Sequence, residues 1–304
     1  MEKGKKYEAF PPAKINLHLQ VLGRRKDGYH ELETVFQSVD LCDRLELHLR
    51  SGSGTVMNVA GAEVPEDSSN LCVRAAAAFA EALGESFRCE ISLHKVVPPG
   101  AGLGGGSSDA AAVLLILNRA FGEPFGEVQL RGIARKLGAD VPFFLHGGVA
   151  LGLGTGEKLD FLTVDWDYRI LLVLPTLRIS TRWAYQQLKF GLTGQQKSLI
   201  FNGQKLRRLR PEDFRERFLN DFESVIFRHY PQFKAAKEAL YQTGAFFASM
   251  SGTGSALFGL FRQEEKAREA RRSLQKFGRT ELVRPVSHAD LKKLVLRTES
   301  LERS

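Results

Sequence analysis

Pro98-Pro99-Gly100-Ala101-Gly102-Leu103-Gly104-Gly105-Gly106-Ser107-Ser108-Asp109 runs directly into an alanine-rich stretch, Ala110 to Leu117. Five of the seven residues from Gly100 to Gly106 are glycine. Such a backbone reaches positive φ without strain and lets a ligand approach without a Cβ in the way. Ser107 and Ser108 stand where a helix N-cap belongs, ahead of strong helix formers. A glycine loop feeding a helix aims unpaired N–H groups and the positive end of the helix dipole at one spot. That spot binds an anion, and a nucleotide phosphate is the natural one.

Two common phosphate motifs do not fit. Gly100, Gly102 and Gly105 match G-x-G-x-x-G, but the dinucleotide fold needs an acidic residue at the end of a second strand about 20 residues on. Here the helix runs into Gly122-Glu123-Pro124-Phe125-Gly126, a turn. The Walker pattern requires a Lys after the glycines, and none follows. The loop is a phosphate cradle outside both classes.

Upstream, Ile15, Leu17, Leu19 and Val21 alternate with Asn16, His18 and Gln20, which predicts a half-buried strand over 14–22. Period two puts Lys14 and Asn16 on one face, away from the core. Asp27-Gly28 is a hairpin signal. Strands are expected near 33–39, 43–49, 55–60, 87–95, 147–154, 169–174, 246–250, 256–261 and 280–286. Helices are expected over 70–83, 108–121, 126–137, 181–189, 211–228, 231–242 and 263–277, with a polar stretch from 190 to 210. Strands and helices mix without strict alternation, so the expected class is α+β, not a doubly wound sheet. Gly154-Thr155-Gly156 reads as a boundary turn between an N-terminal domain, 1–155, and a C-terminal domain, 156–304.

Gly138-Ala139-Asp140-Val141-Pro142-Phe143-Phe144 embeds a carboxylate among apolar residues. A shielded carboxylate needs a partner, and Lys14 is the cation to pair with it. Beside a phosphate cradle the pair suits phosphoryl transfer: Asp140 accepts the proton of an attacking hydroxyl, and Lys14 stabilises the charge on that oxygen. A buried structural ion pair is the alternative.

Pro12-Ala13-Lys14-Ile15-Asn16-Leu17, the glycine loop and Ser251-Gly252-Thr253-Gly254-Ser255 resemble, in order, the three motifs of the GHMP small-molecule kinases. They span residues 12 to 255. Gly28-Tyr29-His30-Glu31-Leu32 and the Asp140 segment narrow the resemblance to a branch that phosphorylates a cytidyl diphosphate sugar alcohol. The resemblance implies two α+β domains with the site in the cleft between them, and ATP with Mg2+ as cofactors. It assigns the catalytic roles to Lys14 and Asp140 and the ATP phosphates to Pro98, Pro99, Gly100, Ala101, Gly102, Leu103, Gly104, Gly105, Gly106, Ser107 and Ser108. Lys95 matches a family lysine near the nucleotide; a surface lysine at a strand end is its plainer reading. Tyr29 and His30 match the dipeptide that grips the cytosine by stacking and a hydrogen bond. Tyr185, beside Thr181, matches an aromatic on the other side of the base, with Trp183 as a substitute. Asn16 bonds the base, the diphosphate side or only a backbone group.

The 304 residues carry 43 Lys and Arg against 35 Asp and Glu, a net charge of +8. Basic residues gather at Lys205–Arg210 and from Lys266 to Arg303, the latter interleaved with Glu, as on a solvated helix face. No aromatic ladder accompanies them, which argues against nucleic acid. No apolar run approaches the roughly 20 residues of a membrane span. Met1 to Tyr7 has no apolar signal core, and three cysteines without metal spacing fit a reducing compartment. The expectation is a cytoplasmic monomer or weak dimer acting on a small molecule, with neither nucleic acid nor membrane as partner.

Overall fold

Twelve strands form three four-stranded sheets in the computed structural model, which describes residues 5–188 and 200–295. The first sheet has the order β1 (Lys6–Ala9), β4 (Arg44–Arg50), β6 (Arg88–His94), β5 (Gly54–Ala60); only β5 and β6 run parallel. The second is an antiparallel sheet of β2 (Pro12–Arg24), β3 (His30–Cys42), β7 (Val149–Gly154) and β8 (Lys158–Leu162). The third, also antiparallel, orders β10 (Phe247–Met250), β11 (Leu257–Phe261), β9 (Arg169–Leu174) and β12 (Arg279–Val283). The α+β expectation holds. Thr155 sits in the turn of the β7–β8 hairpin, so β8 stays with the sheet that precedes it.

Helices α1 (Leu71–Leu83), α2 (Gly105–Ala120), α3 (Glu127–Leu137) and the single turn α4 (Val141–Phe144) cover the first half. Asn70 caps α1 by accepting the Cys72 N–H at 2.9 Å, as its residue type and position predict. The alanine run makes α2 thin: Ala110, Ala111 and Ala112 are buried beside Val113, Leu114, Ile116 and Leu117. Each buried branched side chain contributes about 1.5–3 kcal/mol. The second half carries α5 (Thr181–Gln187), α6 (Gly203–Arg208), α7 (Phe214–Arg217), α8 (Glu223–His229), α9 (Pro231–Gln242), α10 (Glu264–Leu274) and α11 (His288–Val295).

Several expectations change. The α2 cap is Gly104, in the left-handed conformation, and the helix starts ahead of Ser107 and Ser108. Those serines occupy its first turn, and the Ser108 N–H donates to the Gly104 carbonyl. β2 is buried on both faces rather than half-buried, because the glycine loop and the 251–255 turn cover its polar side. The single helix expected over 211–228 breaks at Phe218–Phe222. There the Leu219 carbonyl accepts from Leu19 N–H, and Asn220 Nδ2 donates to the Met250 and Gly252 carbonyls at 2.7 and 2.9 Å. These tertiary bonds compete with helix continuation. Lys205–Arg208 is helix rather than open polar chain; 190–199 lies outside the described residues.

Part of the C-terminal basic surface is matched by carboxylates. Glu264 faces Arg169, Arg268 and Arg284, and Glu281 faces Arg271 and Arg279. Cys42, Cys72 and Cys89 are free thiols, and burial pushes Cys42 and Cys89 up to about 12. They stay protonated and unreactive.

Candidate active site

The chain approaches one cleft from five directions, and β2 is its floor. The Lys14 N–H donates to the Leu103 carbonyl at 2.9 Å, which ties the glycine loop to the strand. Two residues on, the Asn16 N–H donates to Ser251 Oγ at 3.2 Å, and Ser251 Oγ donates to the Gly102 carbonyl at 2.8 Å. Ser251 thus joins the strand, the loop and the β10–β11 turn. Gly102 has φ +78°, and a Cβ there would collide with the Ser251 carbonyl. Gly104 has φ +70°, and its Cβ would come within 2.9 Å of the Phe144 ring and 3.2 Å of Lys14 Cε. These two glycines are what allow so close an approach.

The loop's odd residues, Ala101 and Leu103, are buried in the core beneath. Gly102, Gly104 and Ser107 line the cleft. The first N–H groups of α2, from Gly105 to Ser107, have no intrahelical acceptor by construction. The helix start that the sequence predicts at Ser107–Ser108 thus lies one turn nearer the N-terminus.

Lys14 is buried, and its Nζ lies 3.7 Å from Asp140 Oδ2 and donates to Asn16 Oδ1 at 2.6 Å. The Phe36 ring lies 5.5 Å below the ammonium. Burial lowers the Lys14 pKa from its ordinary value, and Asp140 offsets only part of that. Asp140 is less shielded than its sequence suggests: its side chain is 33% exposed and opens into the cleft. Phe143 and Phe144 do the burying, anchoring α4 so that Asp140, at its start, makes no capping bond and faces Lys14.

Asn16 donates through Nδ2 to Thr34 Oγ1 at 2.7 Å, so both ends of its amide are engaged by side chains. On the far wall Thr181 Oγ1 lies 3.1 Å from Thr253 Oγ1. Tyr185 stacks on His30 with ring centroids 4.7 Å apart and 23° between planes, and meets Phe222 edge-on. Trp183 turns away to pack against His229 and Tyr230, so it does not substitute for Tyr185. Tyr29, 66% exposed at the tip of the β2–β3 hairpin, does not line the cleft.

Lys95 lies at the base of the loop rather than in the cleft. Its Nζ sits between Asp43 and Asp109, all three residues buried. Pro98, Pro99 and Gly100 lead from it into the loop, and Gly106 and Ser108 follow in α2.

The enclosed volume is about 350 Å³. It brings together Lys14, Asn16, Asp140, Thr181 and Tyr185 with the loop. A larger cavity of about 550 Å³ opens elsewhere, beside His146, Phe161, Trp166 and His288. It has neither a glycine loop nor a lysine–carboxylate pair, so chemistry rather than size selects the site. The sequence reading missed Thr34 and Phe36 on β3 and Thr155 and Gly156 in the hairpin turn. The first two were reachable, since strand pairing sets Phe36 opposite Asn16.

Residues 70–148 match the GHMP kinases N terminal domain, and residues 204–280 match GHMP kinases C terminal. A 4-diphosphocytidyl-2-C-methyl-D-erythritol kinase of Prosthecochloris aestuarii is 44% identical over 263 residues, covering 86% of this chain and 91% of that protein. The chain belongs to the 4-diphosphocytidyl-2-C-methyl-D-erythritol kinases. A second such kinase, from Geobacter sp., is 39% identical over 90% of this chain and 95% of its own. A crystal structure of 4-(cytidine 5'-diphospho)-2C-methyl-D-erythritol kinase superposes with a TM-score of 0.76 at 37% identity, covering 91% of this chain and 98% of the other. A homoserine kinase from Cytophaga hutchinsonii, 21% identical with a TM-score of 0.71, shares the fold.

Proposed function

We propose that the chain transfers the γ-phosphoryl group of ATP to the 2-hydroxyl of 4-diphosphocytidyl-2-C-methyl-D-erythritol, a step of the non-mevalonate route to isoprenoid precursors. The observation that carries the mechanism is Lys14 3.7 Å from Asp140 in a cleft lined by the glycine loop. Asp140 takes the proton of the 2-hydroxyl as its oxygen bonds to the γ-phosphorus. The bond from that phosphorus to the β,γ-bridging oxygen breaks, and ADP leaves. The Lys14 ammonium stabilises the negative charge on the transferred group. Asn16 Oδ1 accepts from that ammonium at 2.6 Å, which helps to fix its aim.

The N–H groups from Gly105 to Ser107 hold the phosphates, with Pro98 to Gly104 as the approach. Mg2+ neutralises phosphate charge when it enters with ATP. Among the described residues no three His, Cys, Asp or Glu gather as a metal site. We take the ion to be carried in mostly by phosphate and water oxygens. His30 and Tyr185, already stacked, supply the ring surface for the cytosine, and Thr181 the hydroxyl beside it. Tyr29 serves at the rim.

The part of the chain through β8 thus carries the nucleotide and the catalytic pair. The part after β8 closes the cleft with Thr181, Tyr185 and the Ser251–Thr253 turn. Among the described residues no helix is long and apolar enough to cross a membrane. We take the enzyme to work in the cytoplasm as a monomer or weak dimer. The decisive assay offers purified protein and ATP the cytidyl alcohol, homoserine and mevalonate separately. Turnover of the first alone is expected; turnover of another alcohol would cancel the cytidine pocket, and none at all would cancel the kinase reading.

A further inference from the structure

Three distant pieces of chain meet in a buried cluster under the phosphate loop. Asp43 comes from the turn between β3 and β4, Lys95 from the end of β6, and Asp109 from the first turn of α2. Lys95 Nζ donates to Asp43 Oδ2 and to Asp109 Oδ2, the latter at 2.7 Å. The other Asp43 oxygen accepts the N–H groups of Val96 and Val97 at 2.6 and 2.8 Å. One carboxylate therefore fixes the backbone of the two residues that lead into the loop.

Gly105 rests on that cluster. A Cβ there would come within 2.9 Å of Val97 Cγ1 and 3.1 Å of Lys95 Nζ. Gly105 opens the helix turn whose free N–H groups make the anion site. Their height above the chain beneath is set by the Val97 side chain and the Lys95 ammonium. Both are set in turn by Asp43.

The charges say how tightly the ammonium is held. Burial lowers the Lys95 pKa, but Asp109 and Asp43 together outweigh it and the net shift is upward. Burial, with Asp43 adding to it, raises Asp109 to about 8. The Cys72 thiol faces the cluster from α1, and burial keeps it neutral.

We propose that Asp43 and Lys95 are a positioning pair that sets the height of the phosphate loop, and that the Lys95 ammonium does not itself touch ATP. This rests on the ATP-dependent reading above. It differs from the sequence expectation, in which Lys95 lies at the nucleotide.

A double-mutant cycle of Asp43→Asn, Lys95→Met and both together tests it, with KM for ATP, KM for the cytidyl alcohol and kcat measured separately. Each single change should raise the ATP KM about tenfold, the size usual for partners that orient a binding group. The alcohol KM and kcat at saturating ATP should stay within about threefold, since loop height bears on nucleotide binding alone. The double variant should be no worse than the worse single one, because the two residues act as a unit. Additive losses would mean that Lys95 has a nucleotide contact of its own, and would overturn the proposal. So would an unchanged ATP KM in Asp43→Asn.

Wild-type protein gives a second test that needs no variant to fold. Under amine-reactive labelling read by mass spectrometry, Lys95 should stay unmodified with or without ATP, while exposed Lys293 labels. Labelling of Lys95 that ATP suppresses would overturn the proposal. Failure of the kinase reading itself shows separately, as wild-type protein that binds a non-hydrolysable ATP analogue but phosphorylates no alcohol.

Discussion

Two lysine–aspartate contacts flank the same loop, and they do opposite things. Lys14 and Asp140 stand 3.7 Å apart at the edge of an open cleft, with the carboxylate a third exposed. Lys95 is locked between Asp43 and Asp109 with no solvent to either side. Burial lowers the Lys14 pKa because its one carboxylate partner is distant and partly solvated. It fails to lower that of Lys95 because two buried carboxylates outweigh it. Identical residue types thus make a looser pair with a partly exposed carboxylate in one place and a fully buried cluster in the other. Distance and the count of partners decide which.

The largest test of this contrast removes the reactive carboxylate. Asp140→Asn should lower kcat by about 10²–10⁴ with stability unchanged, the range for a positioned general base. A variant with near-normal kcat would erase the distinction between the two pairs. Next comes stability. Lys95→Met leaves the Asp43 carboxylate buried without its cation beside the Asp109 carboxyl and should cost about 3–5 kcal/mol in urea unfolding. Lys14→Met should abolish turnover yet shift unfolding by no more than about 1 kcal/mol, since Asp140 can hydrate. Equal losses would show that both pairs are structural.

A pH profile separates them further. The Lys14 pKa is lowered in the folded state, so activity that needs its ammonium should fall on an alkaline limb below the ordinary 10.5. The same shift means that burying the ammonium costs stability at neutral pH, a cost relieved as pH rises through the lowered pKa. In Lys14→Arg any residual activity should lose that limb, because guanidinium keeps its proton. The smallest effects lie at the cytosine wall. Tyr185→Ala should raise the KM for the cytidyl alcohol about tenfold, within the 1–3 kcal/mol of one base stack. Tyr29→Ala, at an exposed tip, should raise it less and leave kcat nearly alone.

The approach of Lys14 to Asp140 was legible in the sequence, and the cluster of Asp43, Lys95 and Asp109 was not. Strand parity set Lys14 beside Asn16 on one face, and the apolar surroundings of Asp140 called for a cation. Both arguments are local. Asp109 stood within the very stretch that announced the phosphate loop, but its partner Lys95 is fourteen residues away, and Asp43 a further fifty-two beyond Lys95. No periodicity links them. The Ser107–Ser108 cap failed for a related reason: cap preference favours serine, whereas Gly104 alone tolerates both the left-handed backbone and the Phe144 ring against it. The helix over 211–228 failed because Asn220 is spent on the Gly252 turn, a contact 32 residues long.

Asn16 reaches Ser251 across 235 residues of chain, and the Ser251 hydroxyl closes on the Gly102 carbonyl. The cleft therefore has no complete ancestor during synthesis. A nascent chain that has released the glycine loop and Asp140 still lacks the Ser251 turn that bridges the loop at Gly102 to Asn16 of the first long strand. Contacts so far apart in sequence form late and slowly. Until about residue 255 emerges from the ribosome, the half that carries both lysines waits with an open flank of β2, and that interval is when chaperones would find it.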